Sequence, residues 1–426
     1  MNILMMTNTY LPFVGGVERS VETFTAEFRK QGHQVIIVAP TYGRTDEREE
    51  GVIRVPAIQH FNGTDFSVQL PIPGVLSAAL KNFHPHIIHS HHPYLLGDSA
   101  LRLAAQHQIP IVFTFHTFYE KYTHYVPGNS PALKRFVSAL ATGYANLCDT
   151  VIAPSRAVAE EIVRRGVDSP VEVIPTGIDT ARFQHGDRQG MRATCKLPSD
   201  AFVVGFVSRL APEKNVGFLS RAVCELMQRE SRVHFLLVGN GPSENEMASY
   251  FEQCRLLDRF HHVGTLVGQQ LVDAYHAMDV FAFASNTETQ GLVLTEALAS
   301  GVPVVGLDFP VVEEVVKDGY NGFLVRGGSE TLFVEALLNV MKGSFRLRGL
   351  LREHTVESVR NFDRESCALR ALEIYDSLLS RSFVSRNHAD SAWSRATRMI
   401  KTEFELLRNM TKATGAAISD QTRKDG

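Results

Sequence analysis

Two glutamates, Glu288 and Glu296, stand eight positions apart in the second half of the chain. The apolar run 280–284 before Glu288 predicts a strand, and a loop that turns into a helix follows it. The first N–H groups of such a helix lack partners and carry partial positive charge, which favours phosphate. Here those groups belong to Gly291, Leu292 and Val293. Since carboxylates accept hydrogen bonds from hydroxyl groups, the pattern predicts a sugar joined to a phosphate. Two exposed glutamates beside an ordinary helix are the alternative.

Two cations precede these glutamates in the same half. Arg209 and Lys214 lie five positions apart, around a turn that follows the apolar run 202–208. Arginine offers a planar two-pronged donor and lysine a point charge, so both can bind one pair of phosphates. Two solvated surface cations are the alternative interpretation.

Glycines and histidines follow predicted strands in the first half. Gly15 and Gly16 come after the strand 2–7 and let the backbone approach a ligand, although the sequence is not a G-x-G-x-x-G fingerprint. His116 follows a buried-strand run. Four more histidines lie in or beside the strand 85–90, namely His86, His89, His91 and His92. A metal site is not favoured there, because no cysteine or acidic residue is near and strand residues alternate faces.

The elements that position these residues repeat. Strand, glycine loop, helix and strand follow one another over residues 2–39, and the same order restarts at residue 202. In such sheets ligands bind at the carboxyl ends of the strands, where all of these residues are expected. The predicted fold class is α/β, with two Rossmann-like domains, each a doubly wound parallel sheet, facing each other across a cleft.

Length and composition agree with two domains. The 426 residues exceed what one small core requires, and the net charge of −3 gives no general case for nucleic-acid binding. The five cysteines are scattered without metal-ligand spacing, which favours a reducing cytoplasm. The start, M-N-I-L-M-M-T, predicts a strand rather than a signal peptide, and no apolar run is long enough to cross a bilayer.

The stretch 288–305, E-T-Q-G-L-V-L-T-E-A-L-A-S-G-V-P-V-V, resembles the E-x7-E signature of the retaining glycosyltransferases of family 4, which have the GT-B fold. R-x4-K-N at 209–215 and G-G-V-E at 15–18 match further motifs of that family, and the resemblance covers about residues 1–380.

The resemblance implies roles for these residues. Glu288 and His116 would orient the transferred sugar, and Glu296 would contact the ribose of the nucleotide. The residues implied to bind the nucleotide sugar are Gly15, Gly16, Arg209, Lys214, Gly291, Leu292, Val293 and Glu296. Because no D-x-D pair is present, no obligate metal and no other cofactor is expected.

A narrower resemblance concerns the aromatic loop after His116, which is similar to the acceptor loop of bacterial diacylglycerol glucosyltransferases. It implies that Tyr119, Tyr122 and His124 contact the acceptor. The expected reaction moves a hexose, glucose from UDP-glucose, to a membrane lipid such as diacylglycerol. The expected location is the cytoplasm, peripherally on the inner face of the plasma membrane. The alternatives are an oligosaccharide or lipid-linked polysaccharide precursor as acceptor, a sugar-nucleotide epimerase of the same fold, or a non-catalytic sugar-nucleotide-binding protein.

The predicted domain boundaries follow from these motifs. Residues 1–180 form the acceptor-side domain and residues 181–362 the nucleotide-sugar domain, in which the polar stretch 181–200 is expected to be a linker. Residues 363–380 are expected to form a helix that crosses back to the first domain, and residues 381–426 form a basic tail.

In this tail five residues fall on one helical stripe, with Trp393 nearby. They are Ala392, Ala396, Ile400, Phe404 and Leu407. Basic residues outnumber acidic ones there nine to five. The pattern predicts either a helix at an anionic membrane surface or a helix packed on the body of the protein.

Overall fold

A computed structural model of the protein describes residues 1–13, 15–42, 49–58, 68–69, 76, 80–123, 129–285, 287–343, 345–385 and 392–418. The chain divides into two compact units. The first contains Met1–Gly177 together with Glu365–Gly426, and the second contains Ile178–Arg364. Each unit is built on one parallel sheet with a hydrophobic core on both faces.

The elements are numbered in chain order. The strands are β1 (Asn2–Met6), β2 (Gln34–Pro40), β3 (Val52–Val55), β4 (Ala57–Ile58), β5 (Val68–Gln69), β6 (Ile87–Ser90), β7 (Ile111–Thr114), β8 (Thr150–Ala153), β9 (Val171–Val173), β10 (Phe202–Val207), β11 (Val233–Val238), β12 (Phe260–His262), β13 (Val280–Phe283), β14 (Val304–Leu307) and β15 (Gly322–Val325). The helices are α1 (Gly16–Lys30), α2 (Leu96–His107), α3 (Pro131–Ala145), α4 (Arg156–Arg164), α5 (Thr180–Phe183), α6 (Arg188–Thr194), α7 (Val216–Arg229), α8 (Glu244–Gln253), α9 (Gly268–Ala277), α10 (Leu292–Ala299), α11 (Pro310–Val315), α12 (Glu330–Lys342), α13 (Phe345–Ser358), α14 (Arg364–Ser385) and α15 (Ala392–Ile418).

The sheet of the first unit has the strand order β3-β2-β1-β6-β7-β8-β9, with parallel pairing throughout. Helices α2 and α3 cover one face, where the rings of Tyr144 and Phe113 lie 5.0 Å apart. Helices α1 and α14 cover the other face, where Phe28 meets Tyr375 at 5.5 Å. Because both faces are covered, every residue of β6, β7 and β8 is buried.

The sheet of the second unit has the order β12-β11-β10-β13-β14-β15, again parallel throughout. Helices α7, α8 and α12 pack on one face, and α5, α6, α9, α10 and α11 pack on the other. The two doubly wound sheets confirm the α/β class and the repeat of the pattern at residue 202 that the sequence predicts.

The polar stretch 181–200 is not the linker that its composition suggests. It forms α5 and α6, and α6 is anchored to the second unit by two arginines that share one carboxylate. The guanidinium groups of Arg188 and Arg192 lie 2.6 and 2.7 Å from the two oxygens of Asp279, which also accepts the Val203 N–H at 2.7 Å. Charged side chains indicate a solvated segment from composition alone, but here they are paired and Arg192 is buried.

Replacing Asp279 with alanine should therefore lower the free energy of unfolding by about 3 kcal/mol, because it leaves a buried guanidinium without its counter-charge. Urea denaturation of the full-length protein measures the change. Asp200→Ala removes an exposed carboxylate from the same unit and serves as the matched control. Equal stability of the two variants would show that the arginine anchor contributes little.

Candidate functional site

In each sheet the strand order reverses beside the first strand of the unit. In the second unit the chain runs from β10 through β11 to β12 on one side, then restarts at β13 on the other side of β10. The connections after β10 and β13 therefore diverge and leave a crevice at the carboxyl ends of these strands. Arg209 and Lys214 follow β10, and Glu288 and Gly291 follow β13.

The loops after β10 and β13 are joined by hydrogen bonds from side chains to backbone. The Thr287 hydroxyl donates to the Glu213 carbonyl at 3.1 Å, and the Asn215 amide donates to the Ala284 carbonyl at 3.2 Å. These contacts bring Lys214 Nζ to 2.6 Å from Glu288 Oε1, with each side chain less than one-fifth exposed. The structure thus brings together Lys214, which is predicted to bind phosphate, and Glu288, which is predicted to bind the sugar.

Helix α10 begins immediately after this pair. Gly291 has φ of 71°, in the left-handed region where glycine is favoured, and it turns the loop into the helix as predicted. The N–H groups of Leu292 and Val293 belong to the first turn and have no acceptor within the helix. They supply the partial positive charge that favours a phosphate at this end of the crevice.

Glu296 lies one turn further along α10 and is buried. The hydroxyl of Tyr275, on α9, donates to Glu296 Oε2 at 2.7 Å, so one carboxylate oxygen is held in place from within the unit. The sequence pattern does not identify Tyr275, because it lies in an ordinary amphipathic helix. The feature that could have identified Tyr275 is its hydroxyl group, which is the one polar atom of a fully buried side chain and requires a hydrogen-bond partner.

The loop after β11 lies against the loop that carries Arg209. A Cβ atom on Gly239 would stand 1.9 Å from the Ser208 carbonyl oxygen, and one on Gly241 would stand 2.2 Å from that of Leu210. Only glycine allows the two backbones to come this close. The Arg209 side chain is exposed at the edge of this contact.

In the first unit four buried histidines lie near the carboxyl ends of β6 and β7: His89 is within β6, and the other three follow β6 or β7. His91 Nδ1 lies 2.9 Å from His116 Nε2, and His92 Nδ1 accepts the Asn8 N–H at 3.1 Å. The two nitrogens of His89 contact the hydroxyls of Thr114 and Tyr375, each at 2.6 Å. Tyr375 comes from α14, 286 residues further along the chain. The sequence does not predict the contact between Tyr375 and His89, because no local pattern distinguishes either residue as a partner of the other.

Burial lowers the pKa of each of these histidines. The pKa falls to about 3 for His89 and for His92, and well below its usual value for His91 and His116. The rings are therefore neutral at pH 7, with one donor and one acceptor nitrogen each. One ring of the His91–His116 pair must donate and the other accept, so the contact couples the tautomer of His116 to that of His91.

The nitrogens of this cluster contact hydroxyls, a backbone N–H and one another instead of converging on one point. His86 stands apart and accepts the Asn2 N–H at 3.0 Å. In the described part of the chain no group of three or more histidine, cysteine or acidic side chains is arranged to hold a metal ion.

Gly15 is the N-cap of α1, directly after the loop that follows β1. A Cβ atom there would stand 2.5 Å from the carboxylate of Glu18, whereas one on Gly16 would have no neighbour within 4 Å. Glu18 is buried, and burial raises its pKa. A buried acid at the start of α1 is the feature that the G-G-V-E letters contain but that sequence reasoning left without a role.

Comparison with known proteins agrees with this geometry. The family model described as Glycosyltransferase Family 4 matches residues 14–182, and the model described as Glycosyl transferases group 1 matches residues 187–361. The chain belongs to glycosyltransferase family 4. It is therefore a glycosyltransferase, and its two Rossmann-like units are those of the GT-B fold.

Relatives with different acceptors resemble this glycosyltransferase. It is 29% identical to the alpha-monoglucosyldiacylglycerol synthase of Streptococcus pneumoniae, over 95% of this chain and 92% of that protein. It is 30% identical to the D-inositol 3-phosphate glycosyltransferase of Stackebrandtia nassauensis, over 70% of each chain. The crystal structure of Anabaena HepE in complex with UDP and glucose shares the fold, with a TM-score of 0.70 and 21% identity over 88% of this chain and 99% of that one.

The predicted acceptor residues follow β7 in the first unit. Tyr119 begins a short 3-10 turn, its ring lies 5.3 Å from that of Tyr94, and its buried hydroxyl has no hydrogen-bond partner within the described residues. Tyr122 is half-buried at the end of the same turn. His124 lies outside the described residues. The roles of these three residues, like those of His116 and Glu288, stay predictions.

The lowered pKa values of the buried histidines predict that the folded protein loses stability in acid. Because their folded pKa values lie below the unfolded value of about 6.5, the unfolded chain binds protons that the native state excludes. The stability they contribute is complete above pH 6.5 and is lost as the pH falls toward the lowered values. Between pH 7.5 and 5.5 the free energy of unfolding should fall by about 1.4 kcal/mol for each histidine that stays neutral.

Urea denaturation at the two pH values measures this loss. His92→Gln keeps an acceptor for the Asn8 N–H and should remove one histidine's share of the pH dependence. His185→Gln, at an exposed site, is the matched control. A free energy of unfolding that is the same at both pH values would contradict the conclusion that the buried histidines stay neutral in the folded protein.

Proposed function

We propose that this glycosyltransferase moves a hexose, glucose from UDP-glucose, to a membrane lipid such as diacylglycerol, with retention at the anomeric carbon. The observation that carries the donor half of the proposal is the Lys214–Glu288 contact of 2.6 Å beside the amino end of α10. It brings a cation and a carboxylate beside the first N–H groups of a helix in one crevice, which is the set of groups that a sugar joined to a diphosphate requires.

The proposed donor contacts follow from these groups. Arg209, Lys214 and the first amides of α10 neutralise the diphosphate, both bound and as it departs, so no obligate metal is required. Glu288 accepts hydrogen bonds from hydroxyls of the sugar. Glu296, held by Tyr275, presents its other oxygen to the ribose.

In the proposed reaction the bond between the anomeric carbon and the diphosphate oxygen breaks as the acceptor oxygen attacks from the same face. The acceptor proton passes to the departing diphosphate oxygen. The anomeric carbon carries partial positive charge during this exchange, and the Glu288 carboxylate stabilises it. Neutral His116, whose tautomer is coupled to that of His91, orients the sugar without adding a second positive charge.

Similarity along almost the whole chain to a protein named alpha-monoglucosyldiacylglycerol synthase supports a diacylglycerol acceptor. Tyr119 and Tyr122 are the acceptor contacts we propose in the described part of the first unit. A soluble phosphorylated polyol is the second candidate, since a D-inositol 3-phosphate glycosyltransferase is 30% identical over 70% of the chain. A lipid acceptor implies that the enzyme acts at the inner face of the plasma membrane, on the cytoplasmic side.

The acceptor is tested with labelled UDP-glucose and GDP-mannose, each offered with diacylglycerol in detergent micelles or with D-inositol 3-phosphate. The proposal expects label from UDP-glucose in the organic phase and little transfer to the polyol. Transfer only to the polyol would overturn the lipid acceptor. Transfer only from GDP-mannose would overturn the donor, and release of free sugar without transfer would favour the epimerase alternative.

Glu288→Gln should reduce kcat about 100-fold, because the amide keeps the shape but cannot stabilise positive charge at the anomeric carbon. Binding of UDP should not weaken, since the change releases Lys214 from its carboxylate and leaves that cation to the phosphates. Steady-state kinetics and calorimetry measure the two effects. Glu246→Gln, an exposed glutamate on α8, is the matched control. Turnover equal to that of the control would show that Glu288 has no part in the reaction.

A further inference from the structure

Helix α15 is fixed to the first unit through one of its faces. Leu406 and Ala413 are buried against α2 and α3, and the Asn409 side-chain amide donates to the Leu140 carbonyl at 3.1 Å. A Cβ atom on Gly143 of α3 would overlap the Asn409 side chain, so the two helices are close at this point. The tail helix is therefore an outer layer of the first unit.

Three arginines hold this helix along its length. Arg398 donates to the Ala105 carbonyl at 3.1 Å, and Arg102 of α2 donates to Glu403 Oε2 at 3.1 Å. Near the end of α15, Arg135 donates to the carbonyls of Ala416 and Ala417 at 3.0 and 2.9 Å. A cation at the carboxyl end of a helix also compensates its dipole. The guanidinium group of Arg135 is thus paired with the end of the tail helix.

The opposite face of α15 is apolar, and its side chains are exposed among the described residues. Ile400, Phe404, Leu407 and Ile418 are 71%, 65%, 61% and 55% exposed. Their spacing of 4, 3 and 11 residues places them on one side of the helix. Together with Met399 and Met410, they account for six of the twelve large apolar side chains that are exposed in the described residues. The side chain of Trp393 lies outside those residues.

A row of cations borders this apolar stripe. Lys401, Arg408 and Lys412 are exposed and lie along one edge of it, seven and four positions apart. Glu405 Oε1 stands 3.8 Å from Lys401 Nζ, one helical turn further along. Bulky apolar side chains on one face with lysine and arginine beside them are the pattern of helices that lie in a membrane interface.

We propose that this face of α15, formed by Ile400, Phe404 and Leu407 with Lys401, Arg408 and Lys412 as its basic edge, docks the enzyme on an anionic lipid leaflet. The apolar side chains enter the boundary between headgroups and acyl chains, and the cations remain among the phosphates. One face of the helix is packed on the first unit and its edge carries exposed cations, so the helix lies along the surface and does not cross the bilayer. In the described residues no helix has the length and apolarity that crossing requires.

A lipid surface fits this face better than a second copy of the chain does. Thr411, Thr414 and Gly415 interrupt the stripe after Leu407, whereas a helix pair needs an apolar seam that continues from turn to turn. A lipid interface tolerates polar residues along a helix that is only partly immersed. The docking surface is also independent of the acceptor, because it contains none of the residues proposed to bind donor or acceptor.

Flotation of the full-length protein with vesicles tests the docking surface. Vesicles of phosphatidylcholine alone are compared with vesicles that contain one-third phosphatidylglycerol, at low and at high salt. We expect the protein to float with the anionic vesicles at low salt and to be released as salt screens the charges. Failure to float with anionic vesicles at low salt would overturn the proposal.

Two triple variants separate the contributions. K401E/R408E/K412E should reduce the partition coefficient on anionic vesicles about 100-fold or more, at roughly fivefold for each cation lost. I400Q/F404Q/L407Q should reduce it at least tenfold. Leu332→Gln and Val163→Gln, at sites that are 55% and 54% exposed, are the apolar controls, and K196E/R232E is the charge control. Undiminished flotation of either triple variant would overturn the proposal, provided that its thermal unfolding matches that of the wild type.

Sedimentation velocity distinguishes the rival occupant. If the wild type forms a dimer that I400Q/F404Q/L407Q dissociates, the face is an interface between copies and the lipid proposal is wrong. Glucose transfer to diacylglycerol dispersed in detergent is measured in parallel, and it should be unaffected in both triple variants. Loss of flotation with unchanged transfer therefore supports the docking surface, whereas absent transfer with normal flotation would overturn only the proposed acceptor.

Discussion

The reversal of strand order beside β1 and beside β10 is the constraint on which both candidate sites depend. Parallel strands require crossover connections, and connections that leave in opposite directions cannot cover the carboxyl ends of the two strands where they diverge. Every residue that we assign to the donor follows β10 or β13, apart from the two glycines after β1 and His116 after β7. Among the buried histidines, His89 lies in β6, next to β1, and the other three follow β6 or β7. Chemistry is thus confined to the places that the sheets leave open.

The second constraint is the handling of charge in those places. Lys214 and Glu288 are mostly shielded from solvent and neutralise each other at 2.6 Å, so neither is an uncompensated charge when no donor is bound. The histidines of the first unit avoid the same cost by remaining neutral. Binding of a diphosphate sugar would exchange one set of charge partners for another of similar number. The loops can therefore be ordered in advance without a large electrostatic penalty.

Sequence predicts those parts of this architecture whose causes are local. Apolar runs and glycines predict the strands, the turn at Gly291 and the start of α10. Buried strands require consecutive apolar residues and left-handed backbone favours glycine, so both can be recognised in the sequence. It does not predict Tyr275 beneath Glu296 or Tyr375 against His89, since each partner comes from a distant helix with no distinctive pattern. The prediction of a linker at 181–200 is wrong because the polar composition of this stretch indicates exposure to solvent. In the fold, its arginines are paired with Asp279, which is distant in sequence. One face of the tail helix packs on the first unit, as one of the two alternatives predicts, and its other face is exposed.

The contribution of α14 to the first unit bears on the order of events during synthesis. Cys367, Ala368, Leu372 and Tyr375 complete the core on the face of the sheet that α1 covers, and Tyr375 supplies a hydrogen bond to His89. These residues leave the ribosome only after the whole of the second unit. The first unit, although it begins the chain, must therefore wait with one face of its sheet partly bare while the second unit, which is continuous in sequence, already has every residue it needs to fold. The histidine cluster is among the last features that the growing chain can assemble, so a product truncated before α14 would contain every residue of the second unit and lack part of the core of the first.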